Sequence, residues 1–437
     1  MKKITIILAI VLSNAAFGQG MLTFRNCLDL AIKNNLDLKT AENNQQIAKY
    51  QYRASYGKLL PSLIASVDDK NSWGRDINPK TNTITELDIK NYVGILEAGF
   101  NLFSGFSVWN SIKSSKLEYQ INQSALLKVK NLITIDLAQK FITILYLEDV
   151  IVANQEQIKS SENQLELAIL KFNSGVIAES EVFKIKSQKA TEELNLLTNQ
   201  NHLTDNVIGL KQLMNVPLNQ EITLIKPILN LDKNLIAETN PFEITQKAVL
   251  LHPAYSISLL REQKARKELA IARSLRYPTL TMRMQARSNY SNVEPLVTFQ
   301  DQIDRNYSTV LRFNLSIPIF SQFETFARVK TSKLNYKQSK INVEIAQNQL
   351  SKEVLKAITD TKTAVKRKES SAVAFEFSQK SYDADVLKFE LGKININELN
   401  TTKMMYNSSQ AELIQSKYEL LFNNALIQFY LGEEFSL

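Results

Sequence analysis

The sequence predicts a mainly α-helical protein with a membrane β-barrel part, organised as a two-fold internal repeat. Three observations predict this fold. Glycine and proline are absent from four long stretches, apolar and polar residues alternate in shorter segments, and the chain matches itself at one fixed offset. Each half is predicted to supply a β-hairpin to a barrel, together with two long antiparallel coiled-coil helices.

The four stretches without helix breakers are 106–174, 176–208, 319–391 and 393–431. A helix in a globular domain averages about 11–12 residues, so these stretches argue against an ordinary compact α/β enzyme. As a helix, 106–174 would extend about 100 Å, far more than a bilayer is thick, and we expect it to project into water. Apolar side chains recur in it every seven residues, as in a coiled coil; they are Ile144, Ile151, Ile158, Leu165 and Phe172.

Composition excludes several classes of site. The 437 residues include one cysteine and two histidines, Cys27, His202 and His252, which cannot form a disulfide framework or a zinc site. No phosphate loop, nucleophile elbow or paired-histidine motif is present, so we expect no enzyme, no metal and no cofactor. The basic stretches 261–276 and 366–368 belong to helices that also carry acids, which indicates solvated faces and no nucleic-acid binding.

The N-terminus is predicted to be a signal peptide covering residues 1–18. Lys2 and Lys3 precede the apolar run 4–12, which is too short to span a membrane. The residue after the expected cleavage point is Gln19 and not a cysteine, so no lipid anchor is expected there. Export is therefore predicted, and no later segment is apolar enough for a spanning α-helix.

The repeat becomes visible when the chain is aligned with itself at an offset of 217 residues. Residues 115–119 (SKLEY) then fall on 332–336 (SKLNY). The other matches are Pro61 to Leu63 with Pro278 to Leu280, Phe103 and Ser104 with Phe320 and Ser321, Ala31 with Ala248, Lys171 and Phe172 with Lys388 and Phe389, and Gly175 with Gly392. One register maintained over about 200 residues predicts two structurally equivalent halves.

The predicted domain organisation follows from this register. The first repeat is 19–216, a proline-containing connector is 217–241, and the second repeat is 242–437. Each repeat is predicted to contain an initial helix, two strands and two long helices. The predicted strands are about 61–72, 91–103, 278–288 and 306–319, and the predicted long helices are 105–172, 177–214, 321–389 and 394–431.

The strand segments alternate between apolar and polar residues, as Leu311 and Phe313 do with Arg312 and Asn314. Period two places each set on one face of a strand, and runs of about ten such residues suit a transmembrane β-barrel. Half-buried strands of a soluble sandwich are the alternative. In a barrel, charged residues on the polar faces are expected to line the interior; these are Glu97, Arg283, Arg287 and Arg312.

Four strands are too few to close a barrel, because bacterial barrels start at about eight strands. An open sheet in lipid would leave backbone groups unpaired, so the chain must combine its strands with those of further copies. Two copies would supply eight strands and three would supply twelve. Counting strands leaves both possibilities open.

Taken together, these features resemble the TolC-like outer-membrane efflux channel family. The resemblance rests on the Pro-Ser/Thr-Leu entry to the first strand of each half, on the strand exits 102–105 and 319–321, and on the Lys-Phe-x-x-Gly turns. It covers about residues 22–432. It implies a homotrimer with a twelve-stranded barrel in outer-membrane lipid and an α-helical tunnel through the periplasm. The implied partners are a periplasmic adaptor (membrane fusion) protein and an inner-membrane pump of the RND or ABC type.

By resemblance, two turns would form the periplasmic tip that meets the adaptor. They consist of Lys171, Phe172, Asn173, Ser174 and Gly175 in the first half, and of Lys388, Phe389, Glu390, Leu391 and Gly392 in the second. The alternative is local, since glycine permits a tight turn and phenylalanine caps the apolar seam. Both interpretations can hold together.

The resemblance also points to a periplasmic entrance narrowed by acidic side chains. Glu398 has the expected place, Glu181 is its repeat equivalent, and Thr401 stands where family members often have a second acid. A ring of Glu398 residues would attract cations and raise its own pKa by mutual repulsion, whereas the alternative is an ordinary exposed carboxylate. Two departures from the family pattern are Gln322 at the place equivalent to a glycine, and Asn101 at the place equivalent to a proline.

The predicted function is that of a passive conduit in the outer membrane of a Gram-negative-type cell. It would lead from the adaptor and pump to the exterior. The alternative is a secreted coiled-coil scaffold or adhesin without a pore. Period-two segments in both halves disfavour this alternative, because an all-helical protein has no reason to keep them.

Overall fold

The structure is a computed structural model that describes residues 21–77, 81–86, 88–227, 240–294 and 296–437. The predicted signal peptide lies outside the described residues, as do residues 228–239 of the predicted connector. The chain divides into two compact units. Unit 1 comprises Met1–Glu42, Ser124–Ser256 and Ala346–Leu437, and unit 2 comprises Asn43–Gln123 and Ile257–Ile345.

The described elements are mainly helical, as the sequence predicts. The helices are α1 (Phe24–Asn34), α2 (Leu36–Tyr56), α3 (Ser107–Asn173), α4 (Glu179–Met214), α5 (Pro241–Leu251), α6 (Pro253–Ser274), α7 (Phe299–Arg305), α8 (Glu324–Glu390) and α9 (Ile396–Tyr430). The strands are β1 (Met21–Leu22), β2 (Ser62–Ser72), β3 (Arg75–Ile77), β4 (Ile84–Glu86), β5 (Ile89–Ser104), β6 (Thr223–Leu224), β7 (Thr279–Ser291) and β8 (Ser308–Ser316). Across the described ranges, no helix combines the length and hydropathy that crossing a membrane requires.

The repeat is present in the structure at the predicted offset. Helix α5 begins and ends 217 residues after α1, and α8 begins and ends 217 residues after α3. Helices α4 and α9 start at the same offset and differ by one residue at their ends. The two halves therefore share one order of long elements, although only about a dozen residues match in the sequence alignment above.

The first helical segment of each half is two helices and not the single predicted helix. Asn35 has an extended ψ of 133°, and its side-chain oxygen accepts hydrogen bonds from the backbone N–H groups of Asp37 (2.9 Å) and Leu38 (3.1 Å). Asn35 thus ends α1 and caps α2. At the equivalent place, His252 precedes Pro253 and is extended, and its Nδ1 accepts from the N–H of Ala254 at 3.2 Å.

Unit 2 contains an antiparallel sheet with the strand order β2-β5-β7-β8. The β5–β7 pairing joins the hairpin of the first repeat to that of the second, so one sheet combines both halves. Strands β2 and β8 form its edges, and within the described residues of one chain the sheet stays open. The predicted strand 306–319 ends earlier than expected, at Ser316, because Pro318 cannot donate to a ladder.

The segments between the two main strands of each repeat contain local structure. Strands β3 and β4 form a short antiparallel ladder in the first. In the second, Thr298 caps α7 by accepting a hydrogen bond from the N–H of Asp301 at 3.2 Å. Gln302 anchors this helix to β7, because its side chain accepts from the Ser291 N–H (2.9 Å) and donates to the Ser291 carbonyl (3.0 Å).

Unit 1 contains an apolar core that α1 shares with the middle of α3 and the C-terminal parts of α4 and α9. Phe24 contacts Phe141 edge to face, with ring centroids 5.7 Å apart. The largest fully buried apolar side chains of this core are Phe141, Leu137, Ile144, Leu145, Leu210, Met214 and Cys27. Burial raises the pKa of the Cys27 thiol to about 12, which leaves it protonated and unreactive.

Candidate functional site

The register of the sheet brings the four charged strand residues onto one face. Arg283 lies directly opposite Arg312, and Gln285 lies directly opposite Glu97. Arg287 follows Arg283 by four residues along β7 and so shares its face. The sequence had predicted this arrangement strand by strand, and the pairing now places the four side chains side by side.

The opposite face of the sheet is apolar and open to the surroundings in the single chain. Phe313 and Leu315 are each 60% exposed on edge strand β8. The apolar side chains that share this face are Leu63, Ala65, Val67, Leu96, Ala98, Phe100, Leu280, Met282, Met284, Leu311, Phe313 and Leu315. A continuous exposed apolar face marks a surface that contacts lipid or protein.

The charges on the polar face are unequally paired. Glu97 Oε1 lies 3.6 Å from Arg283 Nη1, in a partly solvated ion pair. Arg287 and Arg312 form no ion pair with any residue that the structure describes. Three guanidinium groups therefore share one neighbouring carboxylate.

Both halves leave the sheet through residues with left-handed backbone conformations. Gly105 and Phe106 have φ of 60° and 65°, and their repeat equivalents Gln322 and Phe323 have φ of 49° and 64°. A Cβ on Gly105 would lie 2.7 Å from the carbonyl oxygen of Ser274, so only glycine fits there. Gln322 therefore stands where the first repeat has a glycine, and it keeps the same left-handed backbone conformation.

The two Lys-Phe-x-x-Gly turns close in the same way. Gly175 has φ of 76°, its N–H donates to the Phe172 carbonyl (2.9 Å), and the next N–H, of Val176, donates to Lys171 (2.9 Å). This pattern is a Schellman motif, in which a left-handed residue ends a helix. Gly392 has φ of 71° and its turn repeats both hydrogen bonds, at 3.0 and 2.8 Å. The glycines are therefore explained by turn geometry alone.

The two turn lysines, by contrast, have different partners. Lys171 reaches the end of α8, where its Nζ donates to the carbonyls of Phe389 (2.6 Å) and Glu390 (3.1 Å) and lies 4.7 Å from the Phe389 ring centroid. A cation is stabilised there because the last carbonyls of a helix are unpaired and partly negative. Lys388 instead donates to Asp385 on its own helix at 2.8 Å. The repeat equivalent of Asp385 is Ala168, which offers no acceptor.

The turn phenylalanines also differ in burial. Phe389 is 4% exposed and packs in a cluster between the helix ends, whereas Phe172 is 40% exposed. The remaining turn side chains are exposed; these are Asn173, Ser174, Glu390 and Leu391. Lys171 with Phe389 therefore joins the two turns, and Phe172 with Lys388 faces outwards.

The predicted entrance residues lie near the N-terminal ends of α4 and α9. Glu181 Oε2 accepts a hydrogen bond from the N–H of Ile396 at 3.4 Å. Glu398 accepts from the side-chain amide of Asn395, the N-cap of α9, at 2.7 Å. The Thr401 hydroxyl donates to the Asn397 carbonyl at 2.9 Å. Each carboxylate thus contacts the N-terminal end of a helix, where negative charge is favourable.

Sequence reasoning missed a buried ion pair deeper in the helices of unit 1. Lys403 and Glu192 are 1% and 3% exposed, and Lys403 Nζ lies 3.0 Å from Glu192 Oε1. Ser161 completes the group, because its hydroxyl donates to Glu192 Oε2 (2.6 Å) and accepts from Lys403 (2.5 Å). Burial lowers the pKa of Lys403, and the Glu192 carboxylate opposes that shift. Heptad spacing could have predicted the burial of Lys403, because it follows the buried Ile396 by seven residues on the same helix.

The described residues contain no cluster of three or more His, Cys, Asp or Glu side chains that could hold a metal ion. The polar groups of unit 1 form helix caps and pairs between helices.

Comparison with known proteins gives one consistent result. The model of the family described as "Outer membrane efflux protein" matches residues 27–216 and 245–433, one match in each repeat. Outer membrane protein TolC of Escherichia coli is 21% identical over 408 residues, covering 91% of this chain and 80% of TolC. The Campylobacter jejuni CmeC outer membrane channel has a TM-score of 0.80 at 16% identity, covering 94% of this chain and 85% of CmeC. The Vibrio cholerae outer membrane protein VceC has a TM-score of 0.81 at 12% identity, covering 94% of this chain and 97% of VceC.

Proposed function

Because this chain belongs to the outer membrane efflux protein family, we propose that it is one protomer of a homotrimeric conduit. The chain itself is an outer-membrane channel protein of an efflux system and not an enzyme. In the proposal, three copies pool their open sheets into a twelve-stranded barrel, and the long helices form the periplasmic tunnel. Cargo enters from an inner-membrane pump of the RND or ABC type through a periplasmic adaptor.

The two faces of the sheet support the barrel. Edge strands β2 and β8 have free backbone groups on one side within a single described chain, and lipid offers no hydrogen bonds to satisfy them. Pairing β8 of one copy with β2 of the next would satisfy both edges. The apolar face would then contact lipid, and the face with Glu97, Arg283, Arg287 and Arg312 would line the lumen.

Both turns would form the tip that docks on the adaptor. Phe172, Leu391 and Lys388 are exposed in the single chain, which leaves them available for a partner. Glu181, Glu398 and Thr401 would lie just inside the tip, at the periplasmic entrance. The turn glycines contribute shape, while the exposed side chains supply the contacts.

A pore-free secreted scaffold or adhesin is not favoured. Such a protein has no need for four paired strands with one continuous apolar face, and exposing that face to water would promote association. The family assignment points in the same direction.

The exposed apolar face of the sheet carries the proposal, and a pair of neighbouring residues tests it. Phe313→Arg places a charge on the apolar face, where near the bilayer midplane it costs about 2–4 kcal/mol. Asn314→Arg adds the same charge one residue later, on the polar face. We expect Phe313→Arg to reduce the folded trimer in outer-membrane fractions, and Asn314→Arg to leave it unchanged.

Oligomeric state and conductance complete this test. The purified protein should run as a heat-sensitive trimer and conduct ions in planar bilayers. A monomer recovered in the soluble periplasmic fraction would contradict the proposal. A dimer with an eight-stranded sheet would contradict the trimer and leave the channel class intact.

A further inference from the structure

The polar face of the sheet carries an excess of positive charge in its middle. Arg283, Arg287 and Arg312 lie there with a single carboxylate, Glu97. Farther along the same face of β2, Asp68 and Lys70 offset each other. The formal excess on this face is therefore two positive charges per chain.

The segment between β7 and β8 does not share this excess. Helix α7, in the segment between β7 and β8, carries Asp301 and Asp304 against one cation, Arg305. The positive region is thus a band across the sheet.

The arrangement within the band is unfavourable unless anions or water compensate it. Arg283 and Arg312 are direct cross-strand partners, and like charges in such pairs repel. Glu97 lies 3.6 Å from Arg283, which leaves Arg312 and Arg287 without an ion-pair partner among the described residues. Both guanidinium groups are exposed and present donors in the fork geometry that matches carboxylates and phosphates.

Assembly would concentrate this charge. Each copy in a closed barrel adds the same band at the same height, so the trimer proposed above would carry a ring with three times the charge. Low-dielectric walls focus the field of such a ring into the lumen. Rings of charged side chains select ions in other pores by this effect.

We propose that the strand-lined part of the channel is an anion-selective zone, which favours passage of solutes bearing carboxylate or phosphate groups. This inference rests on the proposed function, because it requires the polar face to line the lumen. Arg283 and Arg312 supply the selectivity, and Glu97 limits it.

The test is the reversal potential of the reconstituted trimer in a KCl gradient across a planar bilayer. The unsubstituted channel should prefer chloride over potassium. Combined Arg283→Gln and Arg312→Gln should lower the chloride-to-potassium permeability ratio by about twofold or more. Combined Arg283→Lys and Arg312→Lys should keep the ratio, and Glu97→Gln should raise it. The preference should shrink in about 1 M salt, where the screening length falls to about 3 Å.

The acidic entrance is a second source of selectivity, so each measurement is repeated with Glu398→Gln. The arginine effect should have the same direction in both backgrounds. A cation preference that the arginine substitutions leave unchanged in both backgrounds would overturn the inference while leaving the channel intact. A correctly inserted trimer without any conductance would overturn the proposed function itself.

Discussion

The two repeats place the same backbone around different polar pairs. In the first, Ser161 donates to Glu192, and both contact Lys403 of the second repeat. At the equivalent place, Ser378 shares a hydrogen bond of 2.5 Å with Ser409, a neutral pair. The equivalent of Lys403 is Lys186, which is exposed and contacts the ring of Phe183.

The difference shows that the repeat is symmetric in its helices and asymmetric in the contacts between them. Lys403 of α9 is held by α3 and α4, whereas Lys186 of α4 contacts the ring of Phe183 on its own helix. The same holds at the turns, where Lys171 crosses to α8 and Lys388 stays on its own helix. In each pair, one lysine joins the repeats and its equivalent does not.

The largest expected effect is from breaking the buried pair. Lys403→Met leaves Glu192 buried without its cation, and such a loss costs about 3–5 kcal/mol. Lys186→Met removes an exposed lysine from the equivalent place and should stay within about 0.5 kcal/mol. Denaturant unfolding of the detergent-solubilised protein measures both.

Removing both charges of the buried pair sharpens the same comparison. Lys403→Met combined with Glu192→Leu should recover most of the loss, because apolar replacements of a buried pair are often neutral. Equal stability of Lys403→Met and Lys186→Met would show that the buried pair does not distinguish the two repeats.

The strand exits give the next largest difference. Gly105→Ala forces a Cβ to within 2.7 Å of the Ser274 carbonyl oxygen in a left-handed conformation, and should cost about 2–4 kcal/mol. Gln322→Gly, at the equivalent place, should stabilise by about 1 kcal/mol because it relieves the backbone. Thermal unfolding of both variants measures the two effects. Effects of the same sign would contradict the shared geometry.

The turn lysines should differ by a smaller amount. Lys171→Met removes two hydrogen bonds to the end of α8 and should cost about 1–2 kcal/mol. Lys388→Met, which loses one contact within its own helix, should cost less.

Charge reversal, Lys171→Glu or Lys388→Glu, tests docking separately. Each should reduce export in a strain that depends on this channel while the trimer persists.

Export is measured as the drug susceptibility of that strain, and the persistence of the trimer is measured as its band on a gel. Gly392→Pro should act in the same direction, because proline cannot adopt the positive φ of this turn. Unchanged susceptibility with all three variants would exclude a docking role for the turns.

The smallest expected effect is a pH dependence found in one turn only. The hydrogen bond from Lys388 lowers the pKa of Asp385 below its usual value. A carboxylate whose pKa is lowered by folding stabilises the native state above its usual pKa, and this contribution is lost as the pH falls through the native value. Asp385→Asn should therefore flatten the acid limb of the stability profile slightly. Ala168 gives the first turn no such dependence, so Ala168→Ser should leave the profile unchanged.

The sequence predicted much of the fold because the relevant signals are local and periodic. Missing helix breakers gave α3 and α8, and period two gave the faces of β7 and β8. The break at Asn35 was missed because asparagine is tolerated within helices, and only the position of its side chain shows that it caps α2. Helix α7 was missed because seven residues are too short for a periodic signal.

The functional residues were predictable to a lesser degree. Matching turns pointed to both lysines, but Lys171 binds carbonyl groups more than 200 positions away along the chain, whereas Lys388 binds Asp385 three residues away. Lys403 was overlooked because a lysine in a polar helix suggests an exposed side chain. Its heptad position, seven residues after Ile396, indicated burial instead.

The sequence by itself determined the repeat, the long helices and the two faces of the strands, because each follows from spacing along one segment. Only the tertiary structure decided which member of each equivalent pair is buried, bridged or exposed. The physical reason is that equivalent segments share a backbone but meet different neighbours. Charge pairing is decided by those neighbours, since a buried cation persists only where another element supplies its carboxylate.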